Sequence, residues 1–264
     1  MKYLNIACGS NYIKQPNWVN LDYKRADGVK KSNLLKKLPF QDSVFDAVYC
    51  SHFVEHIPLR KIDSFLQECM RVIKPGGVLR IVMPDYFFLC KEFIKNFENK
   101  DFEKADFIKI LTLDQCVRTT RGGYLKKYLL NVHNNDDQDL KKYIQEIIGE
   151  DFEAMNNSFT LFEQLNFSNF FRMLEILWIR LISSFLPSAF KNQNVSFASV
   201  GEKHTWLYDE ESFKRKLTKN NFKEVLFPSF DKSYLGNLFH ELDVHPANKK
   251  PRKGIHQFFI EAKK

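Results

Sequence analysis

The sequence predicts an α/β protein: a mainly parallel sheet of seven strands, with a helical insertion after the fifth. Three observations predict it. The first 85 residues alternate short apolar runs with a helical-period segment. From about residue 87 to 203 strand alternation disappears, and the chain becomes rich in Phe, Lys and Asn. Strand patterns then resume towards the C-terminal end. Strands separated by helices imply parallel pairing, with helices on both faces of the sheet.

Each element has its own signal. Tyr3 to Ala7 is a short apolar strand that breaks at Gly9, and Trp18 to Asp22 is a second strand ending in an acid. Residues 30–34 read as a third short strand. Leu38-Pro-Phe40 turns the chain into a fourth, Phe45 to Cys50. Ile62, Phe65, Leu66, Cys69, Met70 and Ile73 repeat at helical spacing, and Lys74-Pro-Gly-Gly77 stops that helix before the strand Val78 to Met83. In the insertion, Arg121-Gly-Gly123 and Asn134 to Asp137 read as turns. Tyr208 to Leu217 is a helix with Asp209 as N-cap, and Phe222 to Phe227 and Gln257 to Glu261 are the last strands. The division is therefore a core of residues 1–89 and 203–264, and an insertion of 90–202. Insertions after the carboxyl ends of strands sit over the ligand crevice of open α/β sheets, so this one is expected to act as a lid.

Composition narrows the partners. Hydrophobic content of 44% and charged content of 27% are ordinary for a soluble globular chain. The formal net charge of +8 favours an anionic partner, but it is spread along the 264 residues and so does not by itself indicate RNA binding. Cysteines at positions 8, 50, 69, 90 and 116 form no CxxC pair. They read as reduced thiols in a cytoplasmic protein, with no metal site expected. No leader is read ahead of the first strand. Phe170 to Phe190 is strongly apolar, but Arg172, Glu175 and Arg180 make it an amphipathic helix, expected to pack on its own protein and not to span a membrane.

The first turn carries chemistry. A dinucleotide fingerprint needs three glycines for close approach to a pyrophosphate, and here Asn11 and Lys14 occupy the later positions. With no Walker A loop either, the expected ligand has no pyrophosphate. Asp22, 13 residues after Gly9, places a carboxylate where both hydroxyls of a ribose could donate to it.

Leu4-Asn-Ile-Ala-Cys-Gly-Ser10, Asn20-Leu-Asp22, Leu38-Pro-Phe40, Phe45-Asp46, Glu55-His56 and Arg71-Val-Ile-Lys-Pro-Gly-Gly77 follow in an order and spacing that resembles class I S-adenosylmethionine-dependent methyltransferases of the type-11 kind. His204 to Tyr208 and the Asn221-Phe222 turn resemble the C-terminal part of that family, and the insertion resembles nothing in it. The resemblance implies a Rossmann-like fold with S-adenosylmethionine as cofactor. It implies that Ala7, Cys8, Gly9 and Ser10 line the methionine and ribose side, that Asp22 binds the ribose hydroxyls, and that Asn33 contacts adenine. Ser51 and His52 would meet the methionyl end and the substrate.

Methyl transfer from a sulfonium mainly requires alignment and sometimes removal of a proton from the acceptor. His52, Asp85 and His204 are the candidate catalytic residues. Glu55-His56 more often serves as structure, Asp85 could equally cap the next helix, and His204 could equally be a core histidine. His240, His245 and His256 are weaker candidates, and Cys8 has no sequence neighbour to activate it as a nucleophile.

Cys50-Ser-His-Phe53 lacks the Asn/Asp-Pro-Pro-aromatic loop that holds a planar amine, which argues against N-methylation of DNA bases or amides. No appended RNA-binding module is evident. The reading is thus an O-methyltransferase for a small anionic acceptor: a nucleotide-linked or phosphorylated sugar, or, from the family resemblance, an O-methyl phosphoramidate precursor of surface polysaccharide. An RNA-modifying methyltransferase and a non-catalytic cofactor-binding scaffold are the alternatives. A homodimer is left open.

Overall fold

A computed structural model describes residues 1–149, 167–198 and 201–264. Seven strands form one sheet: β1 (Tyr3–Ile6), β2 (Trp18–Asp22), β3 (Val29–Lys31), β4 (Phe45–Ser51), β5 (Ile73–Pro84), β6 (Lys223–Leu226) and β7 (Gln257–Lys263). Their order is β3-β2-β1-β4-β5-β7-β6. The first five pair in parallel, and β7 lies antiparallel to both β5 and β6. The expected mainly parallel seven-stranded sheet is the one observed.

Alternation along the strands sorts the core into two layers. Leu4, Ile6, Val48, Cys50, Ile81 and Met83 point to one face, where α1 (Ile62–Val72) packs. Tyr3, Tyr49, Val82 and Phe259 point to the other, against Phe239 and Leu242. Helices were expected on both faces, and here the structure corrects the sequence reading. Among the described residues the second face is covered by the loop between β6 and β7, which carries only one short helix. The links from β1 to β2 and from β2 to β3 are too short to carry a crossover helix there.

The Leu38-Pro-Phe40 and Arg71 motifs prove to be scaffolding. Arg71 donates to the carbonyls of Leu38 (3.1 Å) and Phe40 (2.8 Å) while pairing with Glu68 and Asp42, which fixes the approach to β4. Lys74 to Gly77 loop out of the β4–β5 ladder, whose register jumps from Phe45↔Ile73 to Ala47↔Val78.

After β5 come α2 (Tyr86–Glu98), α3 (Phe102–Val117), α4 (Gly123–Asn134) and α5 (Gln138–Ile148), which enclose a separate small core around Phe107, Leu111 and Ile144. Then follow α6 (Phe167–Ser184) and α7 (Ser188–Asn194). The chain rejoins the sheet beside its departure point: Asp85 and Tyr208 form a parallel bridge, and the Tyr86 N–H donates to the Tyr208 carbonyl at 2.9 Å. The next helix, α8 (Glu210–Lys219), starts from a capping box. The Ser212 N–H donates to the Asp209 carboxylate, and the Asp209 N–H to the Ser212 hydroxyl.

The expectation that the Phe170 to Phe190 helix packs on its own protein is not met by its described side chains. Leu177, Trp178, Leu181, Ile182 and Phe185 of this segment are exposed. These exposed apolar side chains therefore contribute little to the core of a single chain. No helix of the described residues is long and apolar enough to cross a membrane.

The second face carries a buried charge network invisible to hydropathy. Arg80 is fully buried between the rings of Phe239 and Phe259. It donates to Asp243 of α9 (His240–Asp243) at 2.8 Å and to Glu261 of β7 at 2.6 Å. Tyr49 donates to the other Asp243 oxygen at 2.6 Å, and the Tyr234 N–H to the other Glu261 oxygen at 2.7 Å. Removing the guanidinium would leave two buried carboxylates without their counter-charge. Arg80→Met is therefore expected to lower the unfolding free energy by about 3–5 kcal/mol. In urea denaturation, adding Asp243→Asn and Glu261→Gln to that variant should restore part of the loss.

Candidate functional site

Parallel pairing of β1 with β2 and β4 brings the carboxyl ends of all three strands to one edge of the sheet, with Ile6 opposite both Leu21 and Cys50. Residues 7–10, Asp22 and Ser51-His52 therefore emerge side by side. Two non-glycine residues at this edge hold left-handed backbone, Ala7 at φ 55° and His52 at φ 49°. Each such conformation costs on the order of 1–3 kcal/mol, and strain of this kind concentrates at binding sites.

Gly9 also lies at positive φ, 53°, and a Cβ placed there would meet nothing within 4 Å. It forms an open ledge of backbone. The Gly9 N–H donates to one Asp22 carboxylate oxygen at 2.9 Å, and the Lys24 N–H to the other at 2.9 Å. Each oxygen keeps a lone pair for a further donor. Burial pushes the Cys8 thiol up to about 12, so it is an inert wall and not a nucleophile. Asn33 is exposed beyond β3, its Oδ1 accepting the Leu35 N–H at 3.1 Å. The ledge, the free lone pairs of Asp22 and the lack of further glycines suit a nucleoside without a pyrophosphate. S-adenosylmethionine is such a ligand.

Beside this edge lies a cavity of about 270 Å³ between the sheet and the insertion. Phe107, Leu111 and Leu129 form its apolar wall, and its polar lining includes His52, Gln115, Arg118, Lys126, Lys253 and His256. Arg118 is ion-paired to Asp114 at 3.0 Å through Nη2, while its buried Nε has no partner. The insertion is held against the core by backbone contact at the far wall. Gly149 and Gly254 approach so closely that a Cβ on either would clash with the other's backbone. Next to them the Ile147 carbonyl accepts from both the His256 N–H (3.3 Å) and the His256 ring (2.6 Å).

The candidate bases fall in different settings. Gln257 donates to the Gly254 carbonyl at 3.2 Å, which turns its Oε1 towards His52. His52 Nε2–H must then donate to it, at 2.7 Å, leaving Nδ1 as a lone pair 3.5 Å from Glu55 Oε1. Burial holds the His52 pKa well below its ordinary value. Asp85 caps α2, accepting the Phe87 N–H at 2.9 Å, and burial raises its pKa. His204 does not line the cavity. It is buried against the His56 ring with centroids 4.8 Å apart, and burial pushes its pKa down to about 3. Sequence reasoning missed Arg118, Lys126 and Lys253, because nothing in the local pattern marks which of 40 basic residues face inward. It also gave His256 little weight, although a buried histidine at a strand entrance was a usable signal.

Comparison with known proteins agrees with this geometry. Residues 7–81 match the model of a methyltransferase domain, the type-11 kind. Over residues 7–81 the chain therefore resembles a class I S-adenosylmethionine-dependent methyltransferase domain, in agreement with S-adenosylmethionine as the expected cofactor. It is 28% identical over 138 residues to the ubiquinone/menaquinone biosynthesis C-methyltransferase UbiE of Brucella anthropi, covering 51% of this chain and 43% of that one. It is 43% identical over 42 residues to the sterol 4-C-methyltransferase strm-1 of Caenorhabditis elegans, covering 16% and 12%. The chain thus spans less than half the length of these curated relatives. Among solved structures it is similar to a methyltransferase from Thermotoga maritima described as a possible histamine N-methyltransferase, with TM-score 0.42 and 13% identity, covering 100% and 82%. It is also similar to a methyltransferase from Archaeoglobus fulgidus, with TM-score 0.40 and 15% identity, covering 100% and 86%. Likenesses at such scores leave substrate and mechanism untouched.

The His256 ring gives a pH signature. Burial is the main cause that lowers its pKa from 6.5 to about 4. Below pH 6.5 the unfolded chain binds a proton that the fold refuses until about pH 4, so stability present at neutral pH is lost as pH falls through that interval. The contribution is about 3 kcal/mol. His256→Gln should lose this dependence. The stability gap between wild type and variant, followed by urea denaturation, should shrink by about 2–3 kcal/mol from pH ~7 to pH ~4.

Proposed function

We propose that this chain is an S-adenosylmethionine-dependent O-methyltransferase for a small anionic acceptor held in the cavity between sheet and insertion. The observation that carries the reading is the lining of that cavity: Arg118, Lys126 and Lys253 around a space of about 270 Å³ that opens on His52, at the strand end next to the Gly9 ledge. A space of this size accepts a sugar phosphate or the reacting end of a nucleotide-linked sugar. A precursor of surface polysaccharide, including an O-methyl phosphoramidate precursor, belongs to this class.

In this reading Ala7, Cys8, Gly9, Ser10 and Ser51 bound the methionyl and ribose side of the cofactor, Asp22 accepts from its ribose hydroxyls, and Asn33 meets its adenine. The bound cofactor supplies an electrophilic methyl group on a positively charged sulfur. The protein's part is alignment and water exclusion. Arg118 and Lys253 hold the acceptor's negative group. His52, fixed by Gln257 and by its left-handed backbone, sets the wall against which the accepting oxygen rests. A phosphate or carboxylate oxygen is already nucleophilic, so no strong base is required. The capping role of Asp85 and the position of His204 outside the cavity lining are consistent with that. The insertion serves as the lid, its Gly149–Gly254 contact keeping it seated.

The curated relatives are named C-methyltransferases, which makes the accepting atom the point to test. With a methyl-labelled cofactor, the product's label should appear on oxygen by NMR, and a label on carbon would reject the O-directed assignment. Asp22→Ala should weaken S-adenosylhomocysteine binding about 30-fold by calorimetry, as expected for loss of charge-assisted hydrogen bonds. Lys253→Met should raise KM for an anionic acceptor about tenfold while kcat changes far less, because the lost contact is made equally before and during transfer.

A further inference from the structure

Where the insertion returns to the core, the turn after β4 and the returning chain bury a polar cluster beside the cavity wall. Glu55 is 1% exposed, and neither of its carboxylate oxygens has a hydrogen-bond partner. It sits in the turn after β4, whose backbone is tied to the returning chain: the Glu55 carbonyl accepts the Thr205 N–H at 2.7 Å.

The two imidazole nitrogens within 4 Å of this carboxylate present lone pairs to it, and Lys253 acts on it as a cation from farther away. His52 presents Nδ1 at 3.5 Å as a lone pair, because its Nε2–H is committed to Gln257. His56 donates Nδ1–H to the Lys203 carbonyl at 3.0 Å, which leaves its Nε2 as a lone pair 3.9 Å from Glu55 Oε1. The Nδ1 of His204, a residue 6% exposed, is also buried without a partner. One donor atom from each of Glu55, His56 and His204 lies within 4.8 Å of the other two. Lone pairs converging on one dry point repel one another unless a positive charge sits among them.

One carboxylate and two imidazoles form a donor set suited to borderline first-row divalent cations. An imidazole whose second nitrogen is tied to a backbone carbonyl, as in His56, is the usual outer-shell support for such a ligand. Arg118 and Lys253 stand close enough to press electrostatically on these rings. Two imidazoles beside a single carboxylate disfavour an ion such as Mg²⁺, which needs a shell of oxygens, and favour one that accepts nitrogen. Ligands of a tetrahedral zinc ion stand about 3.4 Å apart, so a pair at the 4.8 Å limit closes by about 1.4 Å.

We propose that Glu55, His56 and His204 bind a first-row divalent metal ion such as Zn²⁺, which fastens the returning end of the insertion to the turn after β4. His52 Nδ1 stands 3.5 Å from the Glu55 carboxylate at the edge of this set.

The alternative occupant of the cluster is a proton that makes Glu55 a neutral acid, and the test separates the two. Full-length protein is stripped with chelator, then titrated with Zn²⁺ by calorimetry and with Co²⁺ by visible absorption. The expected result is one Zn²⁺ per chain, visible d–d bands from bound Co²⁺, and a thermal midpoint raised by Zn²⁺. Glu55→Gln, which keeps the side-chain shape, and His204→Ala should each weaken Zn²⁺ binding at least tenfold and remove the Co²⁺ bands. If His204→Ala does not fold, Glu55→Gln carries the comparison alone. No saturable Zn²⁺ binding by the stripped wild type, or undiminished binding by Glu55→Gln, would overturn the proposal in favour of the protonated acid. Cofactor binding by the same preparation is measured separately, so this site and the methyltransferase reading fail independently.

Discussion

The parallel pairing of β1 between β2 and β4 is the constraint on which the rest of the site depends. It aligns Ile6, Leu21 and Cys50 in one register, so the backbone that leaves these strands arrives at one edge. Everything attributed to cofactor and acceptor hangs from those exits: the open Gly9 ledge, the Asp22 carboxylate it bonds, and His52 in strained backbone. A slip of one residue in this register would turn Asp22 and His52 to the opposite faces of the sheet. The apolar alternation of Leu4, Ile6, Val48 and Cys50 against the α1 face is therefore what places polar groups at the exits.

The antiparallel strand β7 supplies the second half of the arrangement. It closes the sheet beside β5 and carries Glu261 into the Arg80 network, so that a charge cluster on one face and an apolar core on the other hold it in place. The segment leading into β7 then presents Gly254, His256 and Gln257 in quick succession. Gly254 lets the end of α5 touch the core, His256 donates into that helix end, and Gln257 orients His52. One short stretch thus docks the insertion and sets the tautomer of a histidine in the cavity wall. Close backbone contact and directional hydrogen bonds do here what buried apolar area does elsewhere in the fold.

The strands, the α1 helix, the Asp209 cap and the insertion's helical character were legible because they rest on local periodicity and capping chemistry, which act within a few residues. The Gly9 and Asp22 motif was legible for a related reason: the two residues are joined by one direct hydrogen bond across adjacent strands. What was not legible is long-range. Arg80 looks like an exposed alternate residue of a strand, yet its partners Asp243 and Glu261 lie more than 160 residues away. Arg118 and Lys253 face one cavity only because the insertion folds back on the segment before β7. The Arg71 and Lys74 motifs, although recognisable in the sequence, belong to the scaffold: they tie the Leu38-Pro-Phe40 turn and Asp46 in place.

The buried cluster around Glu55 connects these parts. Its carboxylate faces His52, which lines the cavity between sheet and insertion, and His204, which belongs to the returning end of the insertion. A cation among these lone pairs would draw His52 Nδ1 and the returning segment towards the same point. The cavity wall and the lid attachment would then share one electrostatic anchor, set apart from the acceptor by the His52 ring itself. A proton on Glu55 neutralises the same repulsion but joins only two atoms at a time, because a single O–H donates to one lone pair. A metal ion binds several at once. The distinction between the two occupants is therefore mechanical as well as chemical: the metal would add side-chain bonds across the backbone tie between Glu55 and Thr205, and a proton would not.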